Sequence, residues 1–136
     1  MRACELWAVL GLSGLLHTAI ATAAETAAAP VRFTGEVLPI LKQHCVACHM
    51  SGQEQGGLAL APRLAYQHLV GVPSIESALL RVQPGEPNAS YLMHKLDGTH
   101  QSVGGSGLQM PMGAEPLTPA QRELLRRWIT EGAPRN

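Results

Sequence analysis

Cys45-Val46-Ala47-Cys48-His49 is the stretch on which the reading of the whole chain turns. Two thiols stand three residues apart, and a histidine follows the second directly. Residues at that spacing are neighbours on one face of a helical turn. Both sulfurs therefore point to one side, with the imidazole next to them. This is the C-x-x-C-H pattern of covalent haem attachment. Each thiol adds across one vinyl group of the porphyrin to form a thioether, and the histidine is then held beneath the iron as the proximal ligand. With three cysteines and six histidines in 136 residues, a chance match has a probability of about 0.003.

Two other chemistries use such thiols. A structural zinc site needs two further ligands at comparable spacing, but past residue 24 the chain has no third cysteine and no H-x-x-x-H. A thioredoxin-like dithiol needs a strand before the motif and a βαβ unit around it. The residues before Cys45 read as helix instead. Phe33, Val37, Leu41 and Cys45 recur every four positions, with Leu38 and Ile40 alongside. Pro39 places the start of the regular helix near Leu38, so the spacing predicts a helix from about Leu38 to Cys45.

Toward the N-terminus, Arg2 precedes an apolar stretch, Leu6 to Ile20, broken by Gly11, Gly14 and His17 and followed by Ala21-Thr22-Ala23-Ala24. This is the three-part pattern of a secretory signal with small residues at the cleavage site. Cleavage after Ala23 or Ala24 leaves about 112 residues, so the expected organisation is a signal peptide over 1–24, a flexible Ala-rich leader over 25–31 and one domain over 32–136. Retention of the segment as an anchor is the alternative. No stretch reaches the roughly 18 apolar residues of a spanning helix. An exported, periplasmic location suits the haem reading, because c-type haem is attached outside the cytoplasm.

Ten basic and ten acidic residues balance, and no basic run exists. That argues against nucleic acid and against an anionic membrane surface as partners. The chain is 46% hydrophobic, too apolar for a disordered protein, yet only 4% aromatic. With so few rings the core must find its bulk elsewhere, and a bound cofactor is one source.

Toward the C-terminus, Thr118 reads as a helix cap, Pro119 as the first helical residue and Gln121 as the other half of a capping box. Leu124, Leu125, Trp128 and Ile129 form the apolar face, Arg122, Glu123, Arg126 and Arg127 lie mostly off it, and Gly132 suits the left-handed terminus. Trp128 is expected to pack on the first helix. Short helices are expected around Arg63 to Val70 and from Asn88 to Leu96, with Asn88 as cap. In the latter, Leu92 and Leu96 face the core and Met93 and His94 lie on the flank. The fold class is all-α: three to five short helices and loops wrapped on one covalent haem, without repeats.

The motifs together resemble a known group. Phe33-Thr34-Gly35-Glu36-Val37-Leu38-Pro39-Ile40-Leu41, the C-x-x-C-H pentapeptide and Gly56-Gly57-Leu58-Ala59-Leu60 come first. Pro84-Gly85-Glu86-Pro87, Ser90-Tyr91-Leu92, Met110-Pro111 and Trp128-Ile129-Thr130-Glu131-Gly132-Ala133 follow in order. The chain resembles a monohaem cytochrome c domain of the class I type, nearest to the planctomycete-type cytochrome c family. The resemblance implies a small cytochrome c-like fold, one haem c and Met110 as the distal axial iron ligand.

Read from the residues alone, the distal position stays open between several side chains. Met50 adjoins His49 and cannot reach the opposite haem face. Met93, His94, His100, Met110 and Met112 remain. Met110 follows the pliable Gly104-Gly105-Ser106-Gly107 loop and precedes Pro111, which fixes the backbone. Met112 shares these features and is the alternative. Methionine ligation closes the iron and raises its potential, whereas an open face permits gas binding or peroxide chemistry.

Four further expectations follow. A carbonyl of the loop Gly56 to Pro62 takes the free N–H of His49 and orients the ring. Arg81 and Lys95 pair with haem propionates or are surface charges. His44 and His68 are solvated. The functional expectation is an electron carrier, not an enzyme, exchanging one electron with transient redox protein donors and acceptors. The alternative is a gas sensor or the haem subunit of a periplasmic redox enzyme.

Overall fold

The computed structural model of the protein describes residues 28–136. The expected signal segment, with Cys4 and Trp7, lies outside the described residues. Within them the chain is all-α, with four short helices: α1 Leu38–His44, α2 Ala65–Leu69, α3 Tyr91–Asp97 and α4 Pro119–Thr130. Isolated bridges such as Val70 with Val82 and Leu80 with Ser90 tie loops together, but no strand forms among the described residues. No helix there is long and apolar enough to cross a membrane.

The every-fourth-residue pattern before the thiols folds as predicted. A single wide turn, Phe33–Val37, runs straight into α1, and Phe33, Val37 and Leu41 are buried on one face. Pro39 sits in the first turn of α1, where its missing N–H costs nothing. Against this face lies α4, whose Leu125, Trp128 and Ile129 are all buried. Trp128 is fully enclosed, and its ring stands 5.5 Å from that of Phe33. It therefore packs on the turn ahead of α1. Its indole N–H donates to the Pro134 carbonyl at 3.0 Å, the partner a buried indole needs.

The start and end of α4 follow the sequence reading. Gln121 N–H donates to the Thr118 hydroxyl at 3.2 Å, and the Gln121 side-chain oxygen accepts from Thr118 N–H at 2.9 Å. Gly132 takes φ +92° just past the helix, and Ala133 N–H closes back on the Trp128 carbonyl at 2.9 Å.

The middle helices differ from expectation. The second spans only Ala65–Leu69. Asn88 does not cap α3. It lies in the separate turn Pro87–Ala89, and its side-chain oxygen accepts from Arg126. Ser90 stands at the boundary instead, its hydroxyl accepting from Gln83 N–H and donating to the Glu86 carbonyl at 2.9 Å each. On α3 the expected face is rotated. Met93 is 2% exposed and belongs to the core, while Leu92 is only half-buried. The correction follows from Tyr91 and Lys95, which are also buried: α3 packs on more than one side, and a single stripe does not describe it.

The two ends of the described residues meet beside α4. Val31, at the end of the expected leader, is fully buried, and its N–H donates to the Glu131 carboxylate at 2.7 Å. Asn136 accepts from Phe33 N–H at 2.8 Å through its side chain and from Thr34 N–H at 3.0 Å through its main chain. Thr118→Ala removes the capping hydroxyl and is expected to lower unfolding free energy by about 1 kcal/mol, read as a shifted urea midpoint at unchanged slope.

Candidate functional site

α1 stops where the thiols begin. Cys45, at φ −128°, leaves helical geometry, and its carbonyl accepts from both Cys48 N–H at 3.1 Å and His49 N–H at 3.0 Å. The pentapeptide is thus one tight turn with the sulfurs three residues apart. Neither cysteine is bridged; Cys45 is half-buried and Cys48 exposed. Burial of Cys45, with Cys48 beside it, pushes its thiol up to about 11, so it stays protonated at neutral pH.

The imidazole of His49 is uncommitted. Its Nδ1 is buried and has no hydrogen-bond partner, an arrangement that costs about 1–3 kcal/mol when nothing else satisfies the atom. The other histidines among the described residues are each engaged through a ring nitrogen. His44 meets Gln121 Nε2 at 3.1 Å, and His68 Nδ1 accepts from Ala59 N–H at 3.4 Å. Both are half-buried and hydrogen-bonded, which corrects the expectation of free solvation. His94 meets the Thr99 hydroxyl at 2.8 Å and the Asn88 carbonyl at 3.0 Å. His100, 4% exposed, donates from Nε2 to the Gly107 carbonyl at 2.9 Å, while its Nδ1, like that of His49, is buried without a partner.

The expected loop-carbonyl bond to His49 is not made. The loop returns beside the motif with opposite polarity, Leu60 N–H donating to the His49 carbonyl at 2.7 Å, so its main chain fixes the backbone of His49 and leaves the ring. That loop is held from two directions. Arg81, 9% exposed, donates to the carbonyls of His68 and Gly56 at 2.8 Å and of Gly57 at 3.1 Å. It is an internal clamp, neither a surface charge nor a free cation, and burial pulls its guanidinium below the usual value. Ahead of the loop, Glu54 accepts from the Ser51 hydroxyl at 2.9 Å, Ser51 N–H at 3.0 Å and Gly52 N–H at 2.8 Å. The sequence reading passed over this residue, although Ser51-Gly52-Gln53-Glu54 has the S-x-x-E spacing of a capping box.

Met110 is half-buried and packs on the core cluster that Cys45 also touches. Its N–H donates to the Lys95 carbonyl at 2.9 Å. Met112 is 60% exposed, and Met93 is enclosed in the core. Lys95 is 8% exposed, again no surface charge, and its ammonium donates to the Ser106 carbonyl at 2.9 Å. Large apolar side chains stand exposed around these segments: Met50 next to His49, Leu108 and Met112 either side of Met110, and Ile75, which lies against Gly57.

Among the described residues no three His, Cys, Asp or Glu side chains converge as a metal cluster would. Two surface hollows, of about 390 and 660 Å³, are lined by other residues. No family model, no curated protein and no solved structure matches the chain.

Glu54 supplies a pH dependence. The Ser51 hydroxyl bond, with the main-chain bonds, holds its carboxyl at about 2, below its ordinary 4.5. A depressed folded value means the contribution is complete above the ordinary value and is lost as pH falls through about 2. Carboxyl NMR titration is expected to find Glu54 still ionised at pH 3, and Glu54→Gln is expected to flatten the acid limb of the stability curve.

Proposed function

We propose that the chain is an exported monohaem c-type cytochrome that passes single electrons between redox proteins. Cys45 and Cys48 hold haem c by thioethers, His49 is the proximal ligand and Met110 the distal one, with Met112 as the alternative. The observation that carries the reading is the His49 ring: its buried Nδ1 has no partner and no bond to the ring is found among the described residues, directly after two unbridged thiols, whereas His100, whose Nδ1 is also unpartnered, already spends Nε2 on the Gly107 carbonyl.

The donor set suits the group. Addition of a thiol to a vinyl carbon needs free cysteines, and both are free. An axial ligand needs an imidazole not spent elsewhere. A thioether on the other side needs a methionine that is neither locked in the core, as Met93 is, nor wholly in solvent. Met110 is intermediate in burial and backed by the core, which favours it over Met112. Exposed Met50, Ile75 and Leu108 are the apolar side chains that a flat macrocycle would cover. When bound, haem supplies a one-electron couple whose potential is set by axial ligands and burial.

What the chain itself does in this reading is hold and seal. The Cys45 carbonyl fixes the turn, Arg81 and Glu54 stiffen the loop beyond His49, and α3 holds the segment that carries Met110. Such rigidity keeps rearrangement on electron transfer small. Balanced charge gives no strong net steering charge, and the partners dock transiently. Export through residues 1–24 places the protein in the periplasm.

The test is an absorption spectrum of the exported protein, oxidised, then reduced, then exposed to carbon monoxide. The expected result is covalently retained haem, a far-red ferric thioether band lost in Met110→Ala but kept in Met112→Ala, and no carbon monoxide response. Absence of covalent haem overturns the proposal. An immediate carbon monoxide shift replaces the carrier reading with gas sensing or catalysis.

A further inference from the structure

We infer that Lys95 is the positioning residue for Met110, pinning both ends of the segment 106–110 to α3; the inference rests on Met110 being the distal ligand. Its main-chain carbonyl takes the Met110 N–H at 2.9 Å. Its ammonium, reaching the other way, takes the Ser106 carbonyl at 2.9 Å. One residue therefore grips the start and the end of the segment that presents the thioether.

Sterics and chemistry show why a lysine is held there. Burying an ammonium is costly unless it is paired and hydrogen-bonded. Here Glu76 Oε2 stands 3.9 Å away and the Tyr91 ring 6.0 Å away. The Tyr91 hydroxyl donates to the same Glu76 oxygen at 3.3 Å. Burial, with Glu76 beside it, pushes the Tyr91 phenol up, which keeps it a donor. The loop is shaped to meet this cluster. A Cβ on Gly105 would come within 2.6 Å of Tyr91 Cε2 and 2.8 Å of the His100 carbonyl, so only glycine lets the backbone lie so close. Gly107, at φ +76°, turns the chain where the Lys95 ammonium sits 3.6 Å from its Cβ position.

Neighbouring bonds reinforce the grip without duplicating it. His100 holds the Gly107 carbonyl, and Gln109 Nε2 donates to the Leu96 carbonyl at 2.8 Å. Each secures one point inside the segment, whereas Lys95 secures its two ends. A buried ion pair is weak evidence for stability in itself, since apolar replacements are often as stable. Its use here is geometric: the ammonium fixes where the loop begins, and therefore where the Met110 side chain is delivered.

The experiment compares the exported, purified protein with Lys95→Met, with Lys95→Met/Glu76→Gln and with Lys95→Arg. The double variant removes both charges together, so no carboxylate is stranded and the fold is spared. Two readouts are taken: hydrogen exchange at the Met110 amide, and the far-red ferric band with carbon monoxide binding. Loss of one charge-assisted bond is expected to speed Met110 amide exchange roughly tenfold or more, with the amides of α4 unchanged. The band should weaken and carbon monoxide binding appear, and Lys95→Arg should restore both in part. Unchanged Met110 exchange and an unchanged band in both methionine-containing variants overturn the inference, as does a loss spread equally over α4. A parent protein that lacks the band defeats the functional reading instead, and exchange then decides separately whether Lys95 fixes the segment.

Discussion

The contact between Trp128 and Phe33 is the joint on which the rest depends. Two rings from opposite ends of the described chain meet at 5.5 Å, and Tyr66 adds an edge-on contact to Phe33 at 5.2 Å. Phe33 and Trp128 belong to the buried core cluster and Tyr66 packs against it. It fixes the turn that feeds α1, and α1 in turn delivers Cys45 at its end. The Val31, Phe33 and Thr34 bonds to Glu131 and Asn136 close the same joint with polar groups. The thiols are thus placed by packing between residues nearly a hundred positions apart in sequence.

From that joint the site is assembled by two clamps of the same design. Arg81 and Lys95 are both buried cations, and both donate to loop carbonyls, Arg81 to those of Gly56 and Gly57 and Lys95 to that of Ser106. Arg81 holds the loop after the thiols and Lys95 the loop before Met110. Long loops lose more conformational entropy than a few apolar contacts repay, and the described residues have little regular structure to shorten them. A buried cation that ties a loop carbonyl to another part of the chain, as Arg81 does at three carbonyls and Lys95 at one, is an economical way to order such a loop.

Legibility in the sequence followed locality. The α4 cap was readable because Thr118 and Gln121 are three residues apart and satisfy each other. The helix before Cys45 was readable because its period is set by one buried face. Asn88 misled because a good capping residue is only a candidate: Pro87 began a separate turn, and Arg126 from α4 claimed the side chain. Met93 misled because α3 is buried on more than one side. Glu54 was legible in principle through its spacing from Ser51, whereas the pairing of Lys95 with Glu76 joins residues nineteen positions apart and leaves no local trace.

By itself the sequence determined the identity and spacing of Cys45, Cys48 and His49, and the two helices whose periods and caps are local. Those features rest on interactions within one or two turns, so they are written in consecutive residues. Only the tertiary structure decided which side chains are spent and which are left over. It spends one ring nitrogen of each of His44, His68, His94 and His100 on a partner, and among the described residues the His49 ring makes no such bond, its Nδ1 being buried and unpartnered like that of His100. It also makes Arg81 and Lys95, expected as propionate partners or surface charges, into internal clamps. Burial and partnership depend on what the chain brings back from a distance, and no stretch of sequence carries that by itself.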